Sequence, residues 1–187
     1  MSFGCLQVTP FLVGGNQNME AKILSQTSYE ESYLGRLRKL IGKEKVIIAA
    51  TRGVIFSEFG NLLLIRRRDN GRWAMPAVSM ELDESVYECL VREVAEESGL
   101  LVKDATLFAI WSNPAKMSIQ TEYGDPYQLV IFIFRVDAWS GEIVQETEET
   151  IDAGFFDLNA LPEIHCHYLA TLEDLSRFES SSKLILK

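Results

Sequence analysis

The sequence predicts an α+β (mixed α/β) fold, and three observations carry that prediction. Four runs, 45–56 (KVIIAATRGVIF), 61–68 (NLLLIRRR), 106–112 (TLFAIWS) and 128–139 (QLVIFIFRVDAW), are rich in β-branched and aromatic residues and read as strands. One amphipathic helix falls between the second and third of them, within 73–100. Further helices are expected at either end, over 29–41 and 167–178. Strands interrupted by a central helix and flanked by two more pack in layers. The 187 residues fit one domain with appendages, divided into an N-terminal extension, 1–44, and a main domain, 45–187.

Composition narrows the function. Apolar residues make up 47% of the chain, enough for a full core. The net charge of -9 argues against broad nucleic-acid binding. It leaves room for a nucleotide substrate, because bound cations reverse the local sign. Three cysteines with no C-x-x-C point to a reduced, cytoplasmic setting. No apolar run approaches membrane-spanning length, and the first residues lack the pattern of a signal peptide.

Taken in order, residues 1–27 read poorly; Phe11-Leu12-Val13 can form a short edge strand, and Met19 can serve as an alternative start. In the first helix Tyr29, Tyr33, Leu37, Leu40 and Ile41 share one side and Gly42 ends it. An accessory helix of this kind packs on the main domain or on a second subunit, and suggests a homodimer. The first two strands are joined by a turn near 58–61, and Asp69-Asn70-Gly71 marks another. Arg66 and Arg68 share a strand face, where they can meet phosphate oxygens or simply face solvent. Trp73 is expected to pack.

The central helix carries the chemistry. Ser85 or Asp83 can cap its start, and Gly99 supplies its stop. Val86, Leu90 and Val94 form the stripe that packs on a core. Beside them Glu93, Glu96 and Glu97 fall within an arc of roughly 100°. Like charges at this spacing repel, and the helix C-terminus is already the negative end of the dipole. Carboxylates gathered where they repel suit a divalent cation, Mg²⁺ first and Mn²⁺ second.

Glu84, seven residues, then Arg92-Glu93-Val94-x-Glu96-Glu97-x-Gly99-Leu100 resembles the Nudix box of the MutT-like diphosphohydrolases. Eight of the nine fixed positions match, and Val78 stands where the opening glycine belongs. Ala77, Val78, Ser79 and Asp83 occupy places where family members carry glycines. Because Val78 is β-branched and resists positive φ, this loop is expected to be reshaped. The resemblance implies the Nudix fold, a mixed sheet sandwiched between helices, over about 45–178.

It also implies a reaction: water attacks one phosphorus of a nucleoside diphosphate linked to another moiety, with metal neutralising the anionic phosphate. By resemblance Glu93, Glu96 and Glu97 are the metal ligands, and Arg92 orients a box carboxylate, Glu84 or Glu96. Glu149, six residues before Phe155-Phe156-x-Leu, resembles the family's late glutamate, a further ligand or the general base; Glu146 and Glu148 compete for that place. Glu97 is the other candidate base. The loop 113–127 often shapes the substrate pocket in this family, which makes Tyr123, Asp125 and Tyr127 specificity candidates. ADP-ribose, another sugar nucleotide, a nucleoside triphosphate and a dinucleoside polyphosphate all present the same bridge. The missing glycines keep a second class open, a nucleotide-binding sensor with little turnover. His165-Cys166-His167 tempts a zinc reading, but no further ligand cluster accompanies it. The closing helix has Tyr168, Leu172 and Leu175 on its apolar side, and the tail SSSKLILK can fray or dock.

Overall fold

The structure, a computed structural model, describes residues 29–120 and 124–187. The readings at 1–27 and at Tyr123 lie outside those residues. Helix α1 spans Tyr33–Ile41, so Tyr29 sits in the turn before it. Its expected apolar side does not seal it to the domain, since Leu40 is 84% exposed. Polar contacts dock it instead. Arg38 lies 4.3 Å over the Tyr127 ring, and its Nε donates to the Tyr127 hydroxyl at 3.0 Å. The Tyr33 N–H donates to Glu81 Oε2 at 2.7 Å.

The larger sheet runs β4 (Ala77–Ser79), β1 (Val46–Ile55), β7 (Pro126–Ser140), β5 (Leu101–Trp111), β9 (Ile185–Leu186), with β6 (Ser118–Gln120) also pairing β7. Strands β1 and β7 are parallel over their shared length, from Val46 opposite Tyr127 to Ile55 opposite Val136. Parallel neighbours need a crossover, and helix α2 (Val86–Ser98) lies within it. A smaller antiparallel sheet holds β3 (Trp73–Ala74), β2 (Leu62–Arg67) and β8 (Thr150–Phe156). Helix α3 (Pro114–Met117) is a single turn after β5, and α4 (Cys166–Ser181) closes the fold.

Two cores hold the layers. On one side Leu90, Val91 and Val94 of α2 pack with Ile55, Leu63 and Phe134. On the other Leu175 of α4 packs with Ala50, Leu64, Phe108 and Ile133. Leu62, Leu63 and Leu64 have no exposure, because successive residues of β2 feed opposite cores, and Ile65 is buried in a smaller cluster with Ala74 and Ala153. This is the expected mixed sheet between helices.

Several boundaries differ from the periodicity reading. Strand β5 starts at Leu101, directly after the helix stop, not at Thr106. The polar stretch 113–127 contains α3 and β6. Residues 77–79 and 150–156 are strands that too short or too mixed a pattern concealed. The tail docks through β9 on β5.

Gly99 ends α2 at φ +77. A Cβ there would lie 2.6 Å from Val144 Cγ2 and 3.1 Å from the Glu142 carbonyl. Gly99→Ala is therefore expected to cost about 2 kcal/mol from strain and crowding, read as a lower urea midpoint.

Candidate metal-dependent hydrolytic site

Helix α2 begins with a complete capping box. The Ser85 side chain accepts from the Glu88 N–H, and the Glu88 carboxylate accepts from the Ser85 N–H. Ser85, not Asp83, is thus the cap. Asp83 adopts φ +62, the left-handed conformation at a place where the family uses glycine. Val78 needs no positive φ; it lies in β4, opposite Thr51 of β1. Gly53 of β1 lets α2 settle close, since a Cβ there would meet Leu90 Cδ1 at 3.2 Å.

Arg92 organises three carboxylates, Glu84, Glu93 and Glu96. Glu84 accepts two hydrogen bonds from it, Nε to Oε2 at 3.0 Å and Nη2 to Oε1 at 2.9 Å. Its Nη1 reaches Glu96 Oε2 at 2.9 Å and Glu93 Oε2 at 3.1 Å. Both expected partners, Glu84 and Glu96, are therefore engaged. Glu84 Oε1 also accepts from the Glu81 N–H at 2.7 Å. Burial alone would raise the Glu84 pKa, but these hydrogen bonds outweigh it and hold the carboxyl below its ordinary range.

Carboxylate oxygens of Glu93, Glu97 and Glu149 lie within 4.8 Å of one another. Glu93 and Glu97 are 2% and 1% exposed, while Glu149 sits at the exposed rim. Glu97 Oε2 accepts from the Ala77 N–H at 3.2 Å. Glu93 Oε1 is buried with no hydrogen-bond partner among the described residues. Burial, then the neighbouring Glu97, raises Glu93 well above the ordinary carboxylate range. Burial also pushes Glu97 up to about 8, with Glu149 adding to it and Arg67 opposing it. Three oxygens with an orphan among them, and two acids that ionise only reluctantly, fit a hard divalent cation. Glu96 is turned onto Arg92, and the carboxylates whose oxygens lie together are Glu93, Glu97 and Glu149.

The late acidic loop is held by Arg68. Its N–H donates to the Glu149 carbonyl at 2.8 Å, and its guanidinium reaches the Glu148 and Thr147 carbonyls and Glu146 Oε1. Through these contacts Arg68 braces the loop. Arg66 Nε donates to the Gly71 carbonyl at 2.9 Å and stays on the surface. The cation beside the site is Arg67, which pairs with Asp69 and lies close enough to lower the Glu97 pKa. It continues the Leu63–Ile65 stripe of β2, the signal that could have singled it out.

Tyr127 is 5% exposed and tied to Arg38, so it serves the docking of α1 rather than lining open space. Asp125 lies near it: burial, a hydrogen bond to Tyr127 and the Asp125 charge push the Tyr29 hydroxyl up to about 12. The ligand atoms of His165, Cys166 and His167 also fall within 4.8 Å. His165 Nδ1, however, accepts the His167 N–H at 3.2 Å as the cap of α4. Burial, then His165, Arg52 and Lys116, lowers the His167 pKa, and the charges of Arg52 and Lys116 disfavour a metal there.

The NUDIX domain profile matches residues 47–174. An ADP-ribose pyrophosphatase of Methanocaldococcus jannaschii is 33% identical over 130 residues, 67% of this chain and 72% of that protein. Other curated relatives are matched over 32% to 42% of their own length. The crystal structure of an ADP-ribose pyrophosphatase from Streptococcus suis is similar at a TM-score of 0.53 and 27% identity, over 75% of this chain and 98% of that one. The MutT protein of Methanosarcina mazei reaches a TM-score of 0.60 over 74% of this chain and 98% of its own; at 21% identity it speaks to the fold alone. With a profile spanning well over half of its length and the box carboxylates gathered on α2, this chain belongs to the NUDIX (MutT-like) family of hydrolases.

Proposed function

We propose that this chain hydrolyses the diphosphate bond of a nucleoside diphosphate linked to another moiety, with Mg²⁺ or Mn²⁺ as cofactor. The observation that carries the reading is the convergence of Glu93, Glu97 and Glu149 around an unpartnered Glu93 oxygen. ADP-ribose is the first substrate to test, since two of the similar proteins bear that activity in their names.

Glu93, Glu97 and Glu149 would hold the ion, and Glu96 would join them only on leaving Arg92. When bound, a divalent ion neutralises phosphate oxygens and acidifies water. Arg92 keeps the box carboxylates in place. Glu149, at the rim, is placed to take a proton from the attacking water, with Glu97 the other candidate.

Hydrolysis of ADP-ribose, other sugar nucleotides, nucleoside triphosphates and dinucleoside polyphosphates, with Mg²⁺, Mn²⁺ or EDTA, tests the reading. A preferred substrate cleaved only with metal supports it. Nucleotide binding without turnover would favour the sensor reading, which draws on Ala77, Val78 and Ser79 in place of glycines. Two observations weigh for turnover: the Ala77 N–H still reaches Glu97, and Asp83 still makes the left-handed turn.

The loop brace gives a second test. Arg68→Ala is expected to weaken activation by Mg²⁺ about tenfold, because the loop that presents Glu149 loses its anchor. The midpoint of the Mg²⁺ activation curve reads this directly.

No helix among the described residues is long and apolar enough to cross a membrane. The cytoplasmic setting draws on Cys89 and Cys166, both free. The homodimer draws on the exposed apolar side chains Leu40 and Ile47, 84% and 68% exposed; a light-scattering mass of one chain would remove it.

A further inference from the structure

Arg52 stands inside β1, in an otherwise apolar run, and is 6% exposed. Its Nη1 donates to Thr171 Oγ1 at 2.7 Å. Its guanidinium lies 4.8 Å from the Tyr168 ring centre and 5.5 Å from that of Trp111. Among the described residues its Nε is buried with no hydrogen-bond partner, and no carboxylate forms an ion pair with it. Elsewhere the chain answers its buried charge. Asp174, with no exposure, is met by Lys187 at 2.6 Å, the Trp111 indole N–H at 3.0 Å and Arg177 at 3.5 Å. Among the described residues the charged groups that keep a buried atom without a hydrogen-bond partner are Glu93, whose Oε1 fits a cation, and Arg52, whose Nε by the same reasoning fits an anion.

The surroundings of Arg52 agree. A cavity of about 70 Å³ is lined by Trp111, the aromatic neighbour of Arg52, and by His167, Lys116 and Lys187, though not by Arg52 itself. Lys116 adds a cation here, while Lys187 is already paired with Asp174. Tyr168 feels the charges of both Arg52 and Glu97, so the cationic and carboxylate centres flank one phenol. We propose that Arg52 is an anion receptor where β1, β5 and α4 meet, and that its ligand is a phosphoryl group of the nucleotide. The identity of that anion rests on the diphosphohydrolase reading; the presence of a receptor does not. Trp111 and Tyr168 hold the fork rigid, so little side-chain freedom is lost on binding.

The test is titration of the full chain with inorganic pyrophosphate in EDTA, where the carboxylate site contributes no metal. The parent is expected to bind. Arg52→Met should weaken binding about tenfold or more, and Arg52→Lys, which keeps the charge but loses the fork, should weaken it several-fold. Arg135→Gln, an equal charge change at an ion pair with Asp137, should bind as the parent does. Arg52→Met should also melt no lower than the parent, since an unpaired buried charge is replaced by an apolar chain. Unchanged affinity in both Arg52 variants, or no binding by the parent, overturns the proposal. Turnover with Mg²⁺ is scored separately. Arg52-dependent binding without turnover removes the hydrolase reading and keeps the receptor, whereas turnover with a KM indifferent to Arg52 does the reverse.

Discussion

Glu97→Gln is expected to lower kcat by about 10³-fold and to leave the fold intact. The side chain is 1% exposed, and glutamine matches its shape. A glutamine carbonyl can accept the Ala77 N–H that Glu97 Oε2 accepts now. Only the negative charge is lost, and with it a proposed ligand to the ion and a candidate base. Removing a buried, reluctantly ionised acid does not weaken packing, so circular dichroism and the metal-free unfolding midpoint should not fall. The neighbouring glutamates separate two ligand sets. Glu149 converges with Glu93 and Glu97, while Glu96 is paired with Arg92 at 2.9 Å. Glu149→Gln should therefore shift the Mg²⁺ activation midpoint further than Glu96→Gln does. The reverse order would restore Glu96 to the ligand set and leave Glu149 as an acidic loop residue.

What could be read in the chain, and what could not, divides along sequence distance. The helix of Glu93, Glu96 and Glu97 follows from a 3.6-residue period, and its stop from Gly99, both local. The Arg92 partners followed too, because i+4 reaches Glu96 and the preceding turn brings back Glu84. Residues that depend on pairing across the sheet were harder. The face of β2 near the site belongs to Arg67, whereas alternation alone drew attention to Arg66 and Arg68. The three-residue β4 exists because β1 offers it an edge, which no local pattern states. The reshaping expected of the glycine-poor loop rested on Val78 resisting positive φ, and that demand falls on Asp83 instead. Arg52 was present in the sequence as one charge inside an apolar strand. Its lack of an acidic partner is a fact about three distant elements, and only their assembly reveals it.

The metal-free protein is expected to lose stability as pH rises from about 5 to about 8, the opposite of ordinary acid denaturation. An unfolded chain releases the Glu97 proton near its ordinary 4.5, while burial lets the folded chain hold it to about 8. Between those values the folded state binds more protons, so this stabilisation is complete below about 4.5 and drains away through 8. Glu93, raised in the same direction, adds to the slope. Glu84 works oppositely, but its lowered pKa confines its effect to more acidic conditions. A drop of order 3 kcal/mol, read from urea unfolding in EDTA at pH 5.5 and 8, is the scale such shifts set. Mg²⁺ should flatten the curve, because a cation takes the place of the protons. Glu93→Gln should flatten it as well and raise the metal-free midpoint at pH 8, since the charge-averse carboxylate is gone while Arg92 keeps an acceptor. The same variant should gain little from Mg²⁺ and turn over slowly. Stability gained without metal and function lost with it distinguish a carboxylate kept for a cation from one that serves the fold. A metal-free midpoint that climbs from pH 5.5 to 8, or a Glu93→Gln protein that unfolds earlier than its parent at pH 8, would show that these acids are already satisfied by the protein itself.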